Sequence, residues 1–280
     1  MTGNIGAEVH GVQLSKLSQA GKDQLALFVA QKRIVAFRDQ DWADLPISEA
    51  EEFCRYFGKL HIHPTSPSPA GHPEVHIVHR AAGGTTEALF SDRLSSVAWH
   101  TDTSYEVQPP GITFLYMLDG PVAGGDTIFA DQVAAYNRLS PEFRKRLHGL
   151  KAYHTAGDQA KMSSENGGVV RRPPVDTIHP VVRTHPATGE KALYVNPQFT
   201  RRIVGYKKEE SDALLKFLFD HSAYGLDFHA RAKWAPGTVV VWDNRVCQHT
   251  AIVDFFKGER RHIARITPQA ERPYETPFEG

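Results

Sequence analysis

ITFLYML, residues 112–118, is a short apolar run enclosed by Pro109-Pro110-Gly111 on one side and Gly120-Pro121 on the other. Such a run has the length of a strand and falls short of a buried helix. The same texture recurs at 126–129, 150–154, 181–184, 192–195, 230–234, 238–243 and 262–267. Upstream, Ile34 to Phe37 and Val75 to Val78 read the same way. Helical spacing interrupts the pattern. In 17–32 it places Leu25, Phe28 and Val29 on one face, and in 207–222 it does the same for Leu214, Leu215, Leu218 and Phe219. A third helical stretch, 131–148, is expected to break and restart at Ser140-Pro141-Glu142. Ser48, with Glu51 three positions on, predicts a capping box for a helix that buries Phe53, Tyr56 and Phe57 and stops at Gly58. Many short strands with a few covering helices predict a mainly β fold, an antiparallel sandwich or jelly roll, as one domain over residues 1–280.

The 280 residues carry 32 basic and 32 acidic side chains, and the pI is about 7.3. A balanced charge gives no general argument for a nucleic-acid partner. Cys54 and Cys247 are too few for a disulfide framework and too far apart for a zinc knuckle. No stretch approaches the roughly 20 apolar residues of a membrane-spanning helix. The opening MTGNIGAEVHGVQL lacks the basic and apolar regions of a signal peptide. The Gly-Gly pairs at 83–84, 124–125 and 167–168 lack phosphate-loop spacing. The expectation is a soluble, cytoplasmic protein with neither nucleic acid nor membrane as a partner.

Chemistry concentrates in Trp99-His100-Thr101-Asp102. Positions i and i+2 of an extended segment face one side, so His100 and Asp102 can offer an imidazole and a carboxylate to one ion. His249 is the candidate third ligand, following the apolar strand Thr238 to Trp242 and the turn Asp243-Asn244-Arg245. Two histidines and a carboxylate with open positions form the facial triad of non-haem Fe(II) oxygenases. The same three ligands would also suit zinc. An oxygenase needs electrons, and a bidentate 2-oxo acid can supply them from two of the open positions. Its far carboxylate then needs a cation and a hydroxyl, for which arginine's fork is suited. In Arg260-Arg261-His262-Ile263-Ala264-Arg265, a strand puts Arg261 and Arg265 on one face, and Thr127 supplies a hydroxyl. Arg260 reads as part of a solvated turn. The remaining histidines, among them His61, His63, His76, His154, His179, His185 and His262, read as polar packing or surface.

FRDQD (37–41), FGKLHIHP (57–64), WHTD (99–102), GGDTIFAD (124–131), HPVVRTHPATGEKALYVN (179–196), WDNRVCQH (242–249) and ERRHIARITP (259–268) together resemble the TauD/TfdA family of Fe(II)/2-oxoglutarate-dependent dioxygenases, from about residue 5 to about 270. The resemblance implies a double-stranded β-helix core, with iron held by His100, Asp102 and His249. It implies that Thr127 and Arg261 hold the distal carboxylate of 2-oxoglutarate, and that Arg265 faces the anionic group of the substrate. Tyr105 and Trp242 are candidates for the pocket wall. Ser68 is read as occupying the register of a sulfonate-binding histidine of bacterial taurine enzymes. HIHPTSP, SYEVQPPG and RITPQAERP resemble the fungal sulfonate dioxygenase branch. The partners implied are a small anionic molecule and O2, within a family that often forms homo-oligomers. Segments 61–96 and 155–175 are expected to form a lid that selects the substrate. Most directly, the substrate would be an organosulfonate such as taurine, releasing sulfite and an aldehyde. An amino acid or other carboxylate remains the alternative, as do two other classes: a non-catalytic cupin-like binding protein and a zinc hydrolase.

Overall fold

The computed structural model describes residues 2–80, 99–255 and 259–278. Strand β1 (Ala7–Val9) leads to helix α1 (Gln19–Lys32), where the Ser18 hydroxyl accepts the Gly21 N–H at the exposed start. Strand β2 (Ile34–Phe37) follows, then α2 (Ile47–Arg55) and β3 (Val75–Arg80). The capping box expected at Ser48 is not formed. Helix α2 begins two residues earlier, behind Pro46, with no side-chain cap, and Glu51 instead meets His72 Nδ1 at 3.1 Å. Tyr56 is exposed rather than buried.

Next come β4 (Ile112–Asp119), β5 (Thr127–Asp131), α3 (Gln132–Arg138) and α4 (Pro141–Leu147). The break between the two helices lies where the sequence places it. Asp131 Oδ1 caps α3 by accepting from Val133 and Ala134, and Ser140 caps α4 with Pro141 at its first position. The chain continues through β6 (Lys151–Thr155), α5 (Gly157–Glu165), β7 (Asp176–Pro180), β8 (Val182–Thr184), β9 (Lys191–Leu193) and β10 (Thr200–Ile203). Helix α6 (Lys208–Tyr224) precedes β11 (His229–Ala232), β12 (Val239–Asp243), β13 (Cys247–Ala251) and β14 (Arg261–Ile266).

A six-stranded sheet runs β1-β2-β12-β4-β14-β3, and facing it is a smaller sheet, β11-β5-β13. Alternation explains why β2, β4 and β12 read as unbroken apolar runs, since both of their faces are covered. Ile34, Ala36, Leu115, Met117, Val240 and Trp242 point inward to Phe129, Ala230 and Cys247 of the smaller sheet. Val35, Phe37, Phe114, Tyr116, Val239 and Val241 point outward to Leu25 and Val29 of α1 and to Trp42 and Phe53. Further antiparallel pieces, β10-β6-β7 and β8-β9, pack with α3 and α6 around Leu193, Leu215 and Leu218. The result is a jelly-roll sandwich of mainly antiparallel sheets with covering helices. Its open mouth is bordered by β3, β14 and the edge of β13.

Candidate active site

The site starts from a backbone pairing. Strand β13 pairs with β5 along one edge, placing His249 opposite Phe129. Along its other edge it takes up residue 100 through one reciprocal pair. His100 N donates to His249 O (3.0 Å), and His249 N donates to His100 O (2.8 Å). Residues paired this way across an antiparallel ladder project to the same face, and the two imidazole centroids stand 4.2 Å apart. Asp102 arrives two residues later. Its Oδ1 lies 3.5 Å from His100 Nε2 and 3.8 Å from His249 Nε2. Asp102 and His249 are buried, and all three ligand atoms fall within 4.8 Å of one another. Among the described residues this is the one cluster of three His, Cys, Asp or Glu side chains placed to hold a metal ion.

The Asp243-Asn244-Arg245 turn fixes the loop that carries Asp102. Asn244 Oδ1 accepts from Asp102 N (2.9 Å), while its Nδ2 donates to Asp102 O (3.1 Å) and Pro110 O (3.2 Å). Asp243 accepts from His185 Nε2 (2.9 Å) and from Arg245 Nε (2.8 Å). Burial pushes the Asp243 carboxyl up, but Arg245 and His185 override it and hold the group well below the ordinary carboxylate range. Directly after Asp102, Thr103 takes a φ of 40°, which is rare for a β-branched residue, and the chain turns back there.

Electrostatics prepare the ligands. Burial would raise the Asp102 carboxyl, but Arg265, with help from the two imidazoles, holds it well below the usual range. Arg265 Nη1 donates to Asp102 Oδ1. Burial, then the neighbouring His100, pushes His249 well below the ordinary histidine range, so its ring is neutral and able to ligate. Asp102 Oδ2 is buried with no hydrogen-bond partner among the described residues. An ionised, buried carboxylate oxygen without a donor fits a site for a cation. The donor set, two imidazoles and one carboxylate, suits Fe(II) with positions left open.

A cavity of about 370 Å³ opens over the three ligands. Arg261 and Arg265, four residues apart on β14, both line it, as does Thr127. Arg261 is 1% exposed. Its Nε donates to Gly125 O (2.8 Å), and Nη2 reaches Thr127 Oγ1 at 3.4 Å. Gly125 has a φ of 69°, and a Cβ there would sit 3.1 Å from Arg261 Cδ, so glycine gives the arginine its room. Trp234 Nε1 also donates to Thr127 Oγ1, at 3.2 Å. With both lone pairs engaged, the Thr127 hydroxyl keeps its own proton to donate elsewhere.

Three residues expected at the pocket lie elsewhere. Tyr105 is fully buried against Phe199, its hydroxyl donating to Gln159 Oε1 (2.8 Å). Trp242 stands behind His249, ring to ring at 5.0 Å, as part of the core between the sheets. Ser68 accepts from Arg171 Nη2 (2.8 Å) outside the cavity wall, because the loop turns Ser66 inward instead. Conversely, His63 and His76, read from sequence as packing histidines, line the cavity together with Gln159 and Phe199. The alternation of β3 was the signal for His76: it faces the side opposite to buried Val75. His249 follows the strand Val239–Asp243 and its turn as expected, and itself lies within the next strand, β13. CQHTA is buried on both faces and carries no alternation to reveal it.

Of the two segments expected to act as a lid, 61–96 and 155–175, the part 81–96 of the first lies outside the described residues. Arg171 and Arg172 of the other one tie it down. Arg171 N donates to Pro64 O (2.8 Å), Arg171 Nη1 to His63 O (3.3 Å), and Arg172 pairs with Glu106. Much of this segment is helical, as α5, with Gln159 facing the cavity.

The family described as taurine catabolism dioxygenase TauD, TfdA family matches residues 1–267. An alpha-ketoglutarate-dependent sulfonate dioxygenase of Saccharomyces cerevisiae is 49% identical over 98% of this chain and 67% of its own length. The alpha-ketoglutarate-dependent dioxygenase cnsP of Penicillium expansum is 46% identical over 99% of this chain and 76% of its own. A crystal structure of a taurine dioxygenase from Burkholderia xenovorans superposes with a TM-score of 0.78 at 33% identity. That match covers 97% of this chain and 88% of the other. The shared architecture is a double-stranded β-helix, to which the two facing sheets correspond.

Proposed function

The chain belongs to the taurine catabolism dioxygenase TauD, TfdA family, and from that premise we propose that it oxidises a small organosulfonate, releasing sulfite and an aldehyde. As an enzyme it is an Fe(II)/2-oxoglutarate-dependent dioxygenase. The observation that carries the substrate reading is a second buried arginine beside the metal ligands. Arg261 and Arg265 lie on one strand and line one cavity, so a guanidinium stands at each of two places for an anion, that of Arg265 while its Nη1 also bonds Asp102. The names of the yeast sulfonate dioxygenase and the Burkholderia taurine dioxygenase point the same way.

His100, Asp102 and His249 would hold Fe(II). Bound there with 2-oxoglutarate, the ion supplies the O2-dependent oxidation of a substrate C–H bond, at the expense of 2-oxoglutarate, which leaves as succinate and CO2. The protein's own part is placement. Arg261 and the free proton of the Thr127 hydroxyl would anchor the far carboxylate of 2-oxoglutarate. Arg265, four residues further along the same strand, would draw the sulfonate to its own end of the cavity wall, placing the adjacent carbon beside the metal. Hydroxylation at that carbon yields a product that expels sulfite. The Asn244 clamp keeps Asp102 in register throughout. Segment 155–175 and loop 61–74, joined at Arg171, would exclude water above the reacting carbon.

The test is an Fe(II)-dependent assay with a panel of sulfonates, sulfate esters and amino acids, measuring succinate and sulfite separately. Equal amounts of succinate and sulfite with a sulfonate are expected. Succinate driven only by amino acids would transfer the reading to a carboxylate substrate.

A further inference from the structure

On β3, His76 is the direct cross-strand partner of Arg265 on β14. Arg265 Nη2 lies 2.9 Å from His76 Nδ1. A guanidinium only donates, so His76 Nδ1 accepts, and the neutral ring carries its proton on Nε2. His63 is held in the same tautomer by a different donor, the Thr65 backbone N–H, 3.2 Å from His63 Nδ1. Burial first, and then the charge of Arg265, pushes both imidazoles well below the ordinary histidine range. The two rings meet edge to face, with centroids 4.5 Å apart, and both line the cavity. Neither Nε2 meets a hydrogen-bond partner among the described residues. Beside Arg265, the wall therefore presents neutral N–H donors that add no charge.

The shape of the anion decides what those donors are for. A carboxylate is flat, and a guanidinium fork satisfies both of its oxygens in one plane. A sulfonate carries a third oxygen outside any such plane, which needs a donor from another direction. We propose that His76 is a specificity-determining residue, steadying one arm of Arg265 through Nδ1 and offering Nε2–H to the third oxygen of a tetrahedral anionic head. The pocket thereby favours sulfonate over carboxylate. This rests on the reading that Arg265 faces the substrate's anionic group.

The experiment compares butane-1-sulfonate with pentanoate, two probes matched in chain length, by following succinate formation in the wild type, His76→Leu and His76→Gln. Removing one hydrogen bond to a charged oxygen lowers affinity by roughly tenfold. His76→Leu is expected to raise KM for the sulfonate by about that factor, with a smaller change for the carboxylate, so the ratio of the two kcat/KM values falls. His76→Gln keeps an acceptor and a donor and should preserve most of that ratio. If His76→Leu does not fold, His76→Met serves with the same expectation. An unchanged ratio in an active His76→Leu enzyme overturns the proposal, as does equal damage by Leu and Gln. A wild type that makes succinate in response to neither probe overturns the substrate reading beneath it, and the proposal falls with that reading.

Discussion

Arg261→Ala is the perturbation whose effect the structure specifies most closely. The guanidinium is buried and lines the cavity, bonded to Gly125 O at 2.8 Å and to Thr127 Oγ1 at 3.4 Å. A carboxylate placed against it would form a desolvated charge pair. Truncating one partner of such a pair costs about 2–5 kcal/mol, or roughly 30-fold to a few thousand-fold in affinity. Arg261→Ala should raise the KM for 2-oxoglutarate by at least about 30-fold. At saturating 2-oxoglutarate most of kcat should return, because no metal ligand is touched. Arg261→Lys keeps the charge but loses the fork, and should fall between the two. The assay is succinate formation against 2-oxoglutarate concentration, with the melting temperature recorded for each variant. A folded Arg261→Ala enzyme with an unchanged 2-oxoglutarate KM would refute the assignment of this arginine.

Other expectations follow from the same geometry. Arg265→Ala should raise KM for the anionic substrate far more than for 2-oxoglutarate, as read from paired saturation curves. Because Asn244 clamps the backbone on both sides of Asp102, Asn244→Ala should weaken Fe(II) binding by about 10–100-fold, the usual range for a residue that orients a metal ligand. Equilibrium dialysis or competition with a chromogenic chelator would measure it. His179, buried and hydrogen-bonded to Glu106 O at 2.8 Å, has its pKa pushed down to about 4, chiefly by burial. Above pH 6.5 it is neutral whether folded or unfolded and contributes nothing to pH dependence. Between about pH 6.5 and 4 only the unfolded chain takes up the proton, so stability falls by about 1.4 kcal/mol per pH unit from this group. Urea melts across that window should show a shallower slope in His179→Gln than in the parent.

Legibility in the sequence followed physical locality. Strands β2, β4 and β12 were visible because both faces are apolar, and Ser140-Pro141 marked a helix start by local capping chemistry. The i, i+2 spacing of His100 and Asp102 placed two ligands on one face without any tertiary information. Their third partner was legible only as a candidate, since a backbone pair between residues 100 and 249 brings His249 alongside. Long-range pairing also explains the errors. Ser48 had the right neighbour for a capping box, yet His72 takes Glu51 away from it. His76 looked like filler because, although alternation turns it away from Val75, nothing in its local sequence records that Arg265 lies across the strand. Tyr105 and Ser68 lie near the site in sequence, but each is turned from the cavity by a distant partner, Gln159 and Arg171 respectively.

The central claim is that His100, Asp102 and His249 hold one iron ion beside a 2-oxoglutarate anchored by Arg261. An anaerobic titration tests it most directly, adding Fe(II) and then 2-oxoglutarate while recording the visible spectrum of the wild type and Asp102→Ala. A charge-transfer band that saturates at one equivalent of each in the wild type, and is absent from the folded variant, is the predicted result. A band of equal strength in Asp102→Ala, or none in the wild type, would contradict it.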